Sequence, residues 1–194
     1  SPRETRLARD RMALTALGTE AAPCRLCGDA AIPAFRKRLL ARFDVRYFHC
    51  DRCGALQTEW PYWLPEAYLP ENERFDTGQV VRSILNAGFL RALCRRLGVT
   101  TERIVDYGAG SGLLTRLLRD IGLNAYAFDR HAAPRLAMGF QTDDLRDAAV
   151  INLCEVVEHF DEPARYFDEI FGSGCPVVVI QTEILEHVDP HWAY

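Results

Sequence analysis

One glycine-rich segment and two cysteine pairs have the residue types and spacing to do chemistry. In residues 104–114 an apolar run is followed by three alternating glycines, Gly108, Gly110 and Gly112, and then by helical spacing. This pattern predicts a strand, a turn that holds a ligand, and a helix. Glycines permit positive φ and let a nucleoside cofactor lie against the main chain. A tight turn without a ligand is the alternative.

The spacing of these glycines disfavours cofactors that carry phosphates. A dinucleotide fingerprint needs its third glycine where this chain has Leu113, and a P-loop needs a Gly-Lys-Ser/Thr ending that is missing here. Asp106, at the end of the predicted strand, offers a carboxylate to an ammonium group, directly or through water. S-adenosylmethionine carries such a group and no phosphate, so it fits this segment better than ATP or a dinucleotide.

Two later segments also predict strands with polar carboxyl ends. Residues 123–129 end in Asp129, where a doubly wound fold places an acceptor for ribose hydroxyls. Residues 148–160 begin as a buried strand and turn polar at Glu155, at the edge where open α/β sheets bind ligands. Between them, Asp143 or Asp144 is a candidate partner for an adenine amine, with a charged surface loop as the alternative.

Together these stretches resemble the S-adenosylmethionine-dependent methyltransferases of the Rossmann-like class I. Residues 106–112 are similar to the cofactor loop of that family, Asp129 to its ribose-binding acid, and residues 155–160 to its Glu-Val-Leu-Glu-His segment. The resemblance implies an α/β fold with a Rossmann-like, doubly wound, mostly parallel sheet. The expected cofactor-binding residues are Asp106, Gly108, Gly110, Gly112, Asp129, Asp143 and Glu155.

The same resemblance suggests catalytic residues. Methyl transfer from a sulfonium is an in-line displacement, which depends mainly on alignment and needs a base only for reluctant nucleophiles. The histidine that matches His159 is thought to be the base in related sugar C-methyltransferases, and Glu158 or Glu155 would orient it. The alternative is that Glu158 and His159 only cap the helix that leads to Pro163.

Two Cys-x-x-Cys-Gly units precede this region and predict a metal site. Their four cysteines are Cys24, Cys27, Cys50 and Cys53. Two such units complete a tetrahedral S4 zinc site, which is structural because no coordination position stays open. A dithiol redox motif and two disulfides are the alternatives. A zinc ribbon before a methyltransferase pattern resembles a bacterial group that includes sugar C-methyltransferases with zinc-binding domains.

The expected organisation has four parts. A leader covers residues 1–22, the zinc ribbon with an aromatic extension covers 23–70, a linker helix lies in 71–100, and the cofactor-binding domain covers 101–194. Within the linker we expect a helix at 73–97, ended by Gly98. The class usually continues beyond the strand predicted at 175–183, so we expect a sheet without its C-terminal strands.

Composition narrows the range of partners and locations. The 194 residues are 48% hydrophobic and carry a formal net charge of −4. The chain therefore lacks the excess of basic residues that is typical of proteins that bind a phosphate backbone. Nucleic acid is therefore an improbable partner, and a small-molecule methyl acceptor such as a nucleotide-linked sugar is expected. No segment predicts a signal peptide or membrane span, which favours a cytoplasmic protein. A non-catalytic binding scaffold is the competing function, and the oligomeric state is left open.

Overall fold

The computed structural model describes residues 20–67, 77–184 and 188–189. The chain divides into two compact units, one built mainly from residues 20–67 and the other from residues 77–160 and 165–183. Among the described residues, no helix is long and apolar enough to cross a membrane.

The first unit is an antiparallel sheet with strand order β1-β2-β3-β4. Its strands are β1 (Ala22–Pro23), β2 (Ala30–Leu39), β3 (Phe43–His49) and β4 (Leu56–Thr58), and a short helix α1 (Leu64–Ala67) follows. One small core contains two of the predicted metal ligands, and its members are Cys24, Ala31, Phe48 and Cys50. A unit of this size has little apolar surface to bury, so a metal site would add substantially to its stability.

The aromatic residues after β4 divide between core and surface. Trp63 is buried beside Val45 and Tyr47, which explains part of the aromatic run as packing within the first unit. Trp60 and Tyr62 are 62% and 55% exposed, but the Tyr62 ring packs edge-on against Phe43 and Trp63, so Trp60 is the more open of the two rings. Tyr68, the last aromatic of the predicted extension, lies outside the described residues.

The second unit is an α/β layer structure around a parallel sheet with strand order β6-β5-β7-β8. Its strands are β5 (Ile104–Tyr107), β6 (Ala125–Phe128), β7 (Val150–Cys154) and β8 (Val178–Gln181), and its helices are α2 (Gln79–Leu97), α3 (Leu113–Asp120) and α4 (Pro163–Gly172). This arrangement is consistent with the Rossmann-like fold class predicted from the sequence. β5, β6 and β7 are short and mostly buried, as expected when both faces of a parallel sheet are covered, whereas β8 at the edge of the sheet is only half-buried.

Alternate residues of each strand pack against helices on opposite faces of the sheet. Ile104 and Val150 lie in one core cluster with Leu90 of α2 and Leu118 of α3. The next residues along the same strands lie in a second cluster with Tyr166 and Ile170 of α4; they are Val105 and Ile151. Helices therefore cover both faces of the sheet, which is the layering of a doubly wound fold.

The observed helix ends refine the predicted ones. α2 ends at Leu97, and Gly98 follows with φ of +73° while the Val99 N–H donates to the Cys94 carbonyl. The predicted stop at Gly98 is thus confirmed. The predicted start at residue 73 lies outside the described residues, and the described helix begins at Gln79. Between β6 and β7 only a 3₁₀ turn, Arg135–Ala137, follows Pro134.

A buried polar trio lies between the sheet and α3. Asp106, Thr115 and Asn152 are 3%, 0% and 0% exposed. The Thr115 hydroxyl donates to Asp106 Oδ2 at 2.8 Å, and Asn152 Nδ2 donates to Oδ1 at 3.4 Å. Burial raises the pKa of Asp106 to about 6, although these two hydrogen bonds favour the carboxylate. Because burial outweighs the two hydrogen bonds, ionisation of Asp106 is a cost to the folded state.

We predict that Asp106→Asn reduces the pH dependence of stability. With a pKa raised from 3.8 to about 6, folded Asp106 binds its proton more tightly than the unfolded chain does, so stability falls as pH rises through this range. The difference in unfolding free energy between variant and wild type should shift by about 2 kcal/mol in favour of the variant between pH 4 and pH 7. Urea denaturation at both pH values measures it. An identical difference at the two pH values would contradict the prediction.

Candidate functional site

The candidate site lies at the carboxyl edge of the parallel sheet. Because β5, β6 and β7 run in one direction, the residues that follow them emerge at the same edge. Gly108 N–H donates to the Phe128 carbonyl at 2.7 Å, and the Gly110 N–H donates to Asp129 Oδ2 at 2.8 Å. The loop that carries Gly108, Gly110 and Gly112, called the glycine loop below, is thus in direct contact with Asp129, the predicted ribose-binding residue.

The three glycines of the loop have different surroundings. A Cβ on Gly108 would lie 2.6 Å from Val156 Cγ2, and one on Gly112 would lie 2.9 Å from Pro134 Cβ. Protein side chains therefore occupy the space that the sequence analysis left for a cofactor at these two positions. At Gly110, which has φ of +53°, nothing lies within 4 Å of the same point. Of the three, Gly110 is the glycine that leaves the main chain open to a ligand.

Asp129 uses its carboxylate within the protein. Oδ2 accepts the Gly110 N–H, while Oδ1 accepts the N–H groups of His131 and Ala132 at 2.8 and 2.7 Å. Asp129 is half-buried at the end of β6. Its carboxylate lies at the predicted edge and holds two loops together through these hydrogen bonds.

The other predicted carboxylates differ in accessibility. Asp143 is exposed. Asp144 pairs with Arg146, whose side-chain and backbone hydrogen bonds lower the pKa of Asp144 to about 2. Glu155 is half-buried at φ of +55°, and its N–H donates to the Gln181 carbonyl at 2.8 Å. Asp143 is therefore the more accessible of the two residues considered for the adenine amine. Glu155 directly follows β7 and lies beside the end of β8.

Glu158 and His159 lie on a 3₁₀ turn, Val157–His159, that follows β7. Both carboxylate oxygens of Glu158 are buried and accept no hydrogen bond from the described residues. The expected orienting hydrogen bond from His159 to Glu158 is therefore not formed, and Glu158 does not cap α4. The His159 side chain is exposed, yet nearby protein atoms desolvate it enough to lower its pKa, against the opposing charge of Glu158.

A polar face of α2 at the same edge was not predicted from the sequence. α2 precedes β5 and packs beside it, and Gln79 Nε2 lies 3.5 Å from Ser111 Oγ in the glycine loop. Further along the helix, Gln181 Nε2 donates to Asn86 Oδ1 at 3.2 Å, and Asn86 is buried. The sequence does contain a pattern that indicates this face, because polar residues recur at i, i+4 and i+7, namely Gln79, Ser83 and Asn86. The prediction for this segment was only a linker helix.

The first unit contains the predicted four-cysteine cluster. The Sγ atoms of Cys24, Cys27, Cys50 and Cys53 all lie within 4.8 Å of one another. Two pairs are closer, at 3.7 Å for Cys24–Cys53 and 3.6 Å for Cys27–Cys50. Zn–S bonds of about 2.3 Å in a tetrahedron place sulfurs about 3.8 Å apart. The cluster therefore fits a zinc ion, and its closed donor set fits a structural role.

Local hydrogen bonds shape both cysteine turns in the same way. Gly28 N–H donates to the Cys24 carbonyl and Gly54 N–H to the Cys50 carbonyl, each at 2.8 Å. Burial opposes ionisation of Cys24, but backbone hydrogen bonds from Cys27 and Leu26 together with neighbouring thiols lower its pKa to about 7. Backbone hydrogen bonds from Asp29 to Cys27 and from Ala55 to Cys53 also favour the thiolate, which is the metal-binding form of cysteine, but burial and the neighbouring thiols outweigh them and raise the pKa of both groups.

Comparison with known proteins supports the second unit as a methyltransferase domain. A family model described as a methyltransferase domain matches residues 81–174, a range that includes the glycine loop, Asp129, Glu155 and His159. The match supports a class I methyltransferase and, with it, methyl transfer as the general activity. The cysteine cluster lies outside the matched range. No curated protein matches the chain.

We predict that Gly108→Ala destabilises the protein more than Gly110→Ala. Both residues have positive φ, so each alanine carries a conformational cost of about 1–2 kcal/mol. Only the Gly108 variant also clashes with Val156, which should add about 1–3 kcal/mol. Urea denaturation compares the two, and Val156→Ala should relieve the added loss. Equal losses in the two single variants would contradict this assignment.

We predict that Cys27→Ser lowers the zinc content of the purified protein. Wild type should retain about one zinc ion per chain after dialysis, because four thiolates close the coordination sphere. Cys175→Ser is the matched control, since Cys175 lies outside the cluster and bonds the Val177 carbonyl. Atomic emission measures the metal. Zinc content that is unchanged in Cys27→Ser, or equally low in the control, would exclude this site.

We predict that the imidazole of His159 titrates below 6.5. Desolvation favours the neutral ring and Glu158 favours the charged ring, so Glu158→Gln should lower the pKa of His159 further. The neutral, proton-accepting form then persists to lower pH than in an unperturbed histidine. Titration of the ring resonances by NMR measures both values. A wild-type pKa at or above 6.5, or a rise in the variant, would refute it.

Proposed function

We propose that this chain is an S-adenosylmethionine-dependent methyltransferase that acts on a small molecule and contains a structural zinc site. The observation that carries the proposal is the convergence of the Gly110 main chain and the Asp129 carboxylate at the carboxyl edge of the sheet. The family match over residues 81–174 supports the same reaction class.

The residues at this edge suit a cofactor without phosphates. The open side of Gly110 is a cradle that a Cβ would fill. Asp129 would accept the ribose hydroxyls, and Asp143 would meet the adenine amine. Asp106, buried below the loop with both oxygens hydrogen-bonded, would act on the ammonium group through water or by exchanging a hydrogen bond. When bound, the cofactor supplies a methyl group activated by a sulfonium.

His159 is the proposed proton acceptor. Its side chain is exposed and its lowered pKa keeps the ring neutral near pH 7, so a ring nitrogen can take a proton from a hydroxyl or an acidic carbon of the acceptor. The buried charge of Glu158 would then stabilise the imidazolium that forms. Glu158 therefore acts in this proposal through its charge rather than through a hydrogen bond.

A small-molecule acceptor, such as a nucleotide-linked sugar, is proposed from the net charge. A net charge of −4 disfavours nucleic acid. A cytoplasmic location belongs to the same proposal, because a reducing compartment keeps cysteine pairs available to zinc.

Cofactor binding is the first test of the function. Calorimetry on zinc-replete protein should show S-adenosylmethionine and S-adenosylhomocysteine binding with a Kd of about 1–100 μM. Asp129→Ala should abolish it, whereas Asp120→Ala, which alters an exposed carboxylate paired with Arg116, should not. Wild-type protein that binds neither compound would overturn the proposal and favour a zinc-containing scaffold without catalysis.

The role of His159 is tested separately once an acceptor screen gives turnover. His159→Ala should bind S-adenosylhomocysteine as wild type does and lose about 10²–10⁴-fold in kcat, which is the usual contribution of a general base. A variant that keeps both full binding and full turnover would remove His159 from the mechanism and leave the methyl-transfer proposal intact.

A further inference from the structure

We propose that Asp129 is a positioning residue for the glycine loop, in addition to the ribose contact proposed for it. The proposed function enters this inference only through its ligand test. The sequence pattern assigns Asp129 a role toward a cofactor, whereas the structure shows its carboxylate organising the protein side of the same site.

The two carboxylate oxygens of Asp129 have separate tasks. Oδ1 accepts two N–H groups that follow it in the chain, from His131 and Ala132, and so fixes the turn after β6. Oδ2 accepts the Gly110 N–H at 2.8 Å and so reaches the loop after the neighbouring strand β5. One carboxylate side chain thereby sets the position of one loop relative to the other.

Gly110 is the loop residue that depends on this hydrogen bond. The N–H groups of Gly108 and Ala109 donate to the Phe128 carbonyl, and that of Gly112 donates to the Ala109 carbonyl. The Gly110 N–H instead donates to a side chain. Gly110 also has φ of +53° and no neighbour near its missing Cβ, so packing does not restrain it there. The hydrogen bond to the Asp129 carboxylate therefore stabilises the conformation of Gly110, the residue at which the main chain is open to a ligand.

Asp129→Asn separates the two tasks. An asparagine carbonyl can still accept from His131 and Ala132, but its NH₂ group would face the Gly110 N–H and cannot accept from it. The substitution therefore removes the link between the loops and leaves the turn after β6 with its acceptor. It also keeps the size of the side chain, so no cavity is created.

Amide hydrogen exchange measured by NMR on the ligand-free, zinc-replete protein tests the inference. In Asp129→Asn the Gly110 amide should exchange at least about tenfold faster than in wild type, which corresponds to loss of one charge-assisted hydrogen bond. The Gly108 amide is the internal reference, because its partner is the Phe128 carbonyl. Asp120→Asn is the matched control and should leave Gly110 unchanged. Unchanged exchange at Gly110 in a folded Asp129→Asn would overturn the inference.

A second measurement needs no variant. A scalar coupling across the hydrogen bond between the Gly110 nitrogen and the Asp129 carboxylate carbon should be detectable in the wild-type protein. Its absence, together with exchange of the Gly110 amide as fast as in an unstructured peptide, would also overturn the inference, even if Asp129→Asn failed to fold.

Ligand binding distinguishes positioning from ribose contact alone. S-adenosylhomocysteine and its 2′,3′-dideoxy analogue differ only in the hydroxyls that Asp129 would hold. If Asp129 positions the loop, Asp129→Asn should weaken the dideoxy analogue about tenfold as well. Binding of that analogue as tight as in wild type would show that Asp129 acts through the hydroxyls alone. If wild type binds neither compound, the proposed function fails while the exchange experiment still decides this inference.

Discussion

The pairing of β5 with β6 on one side and β7 on the other is the interaction on which the rest of the second unit depends. It places Asp106 beside Ala127 and Asn152 in register, so the residues after all three strands meet at one edge. The same pairing sends alternate side chains to opposite faces, where α2 and α3 cover one and α4 the other. The site is a by-product of a buried parallel sheet, which needs helices on both sides and short loops at its ends.

Polar groups at this edge are organised by hydrogen bonds to one another. Thr115 and Asn152 hold Asp106, Asp129 holds Gly110, and Gln181 holds Asn86. Each bond joins two different elements, which limits how far the edge can rearrange. Preorganisation of this kind reduces the ordering that binding would otherwise require. The cysteine cluster gives the first unit a comparable order through four converging sulfur atoms.

Much of the fold and part of the site follow from local sequence patterns. Short apolar runs and helical spacing predicted β5 to β8 and the three longer helices, and the cysteine quartet was predicted because each half is a four-residue motif. What escaped prediction depends on distant residues. The crowding at Gly108 comes from Val156, and the missing bond between Glu158 and His159 depends on how a 3₁₀ turn aims their side chains. The polar face of α2 has meaning only once the helix is placed over the sheet edge.

The backbone at Glu155 bears on what this side chain contributes. A φ of +55° is a conformation that glycine adopts freely and that costs a residue with a Cβ roughly 1–2 kcal/mol. A glycine at position 155 would keep the backbone N–H that now donates to the Gln181 carbonyl. The backbone conformation at this position thus favours glycine over the glutamate that the chain has there. Any stabilising contact of that carboxylate therefore offsets a conformational cost that glycine would not carry.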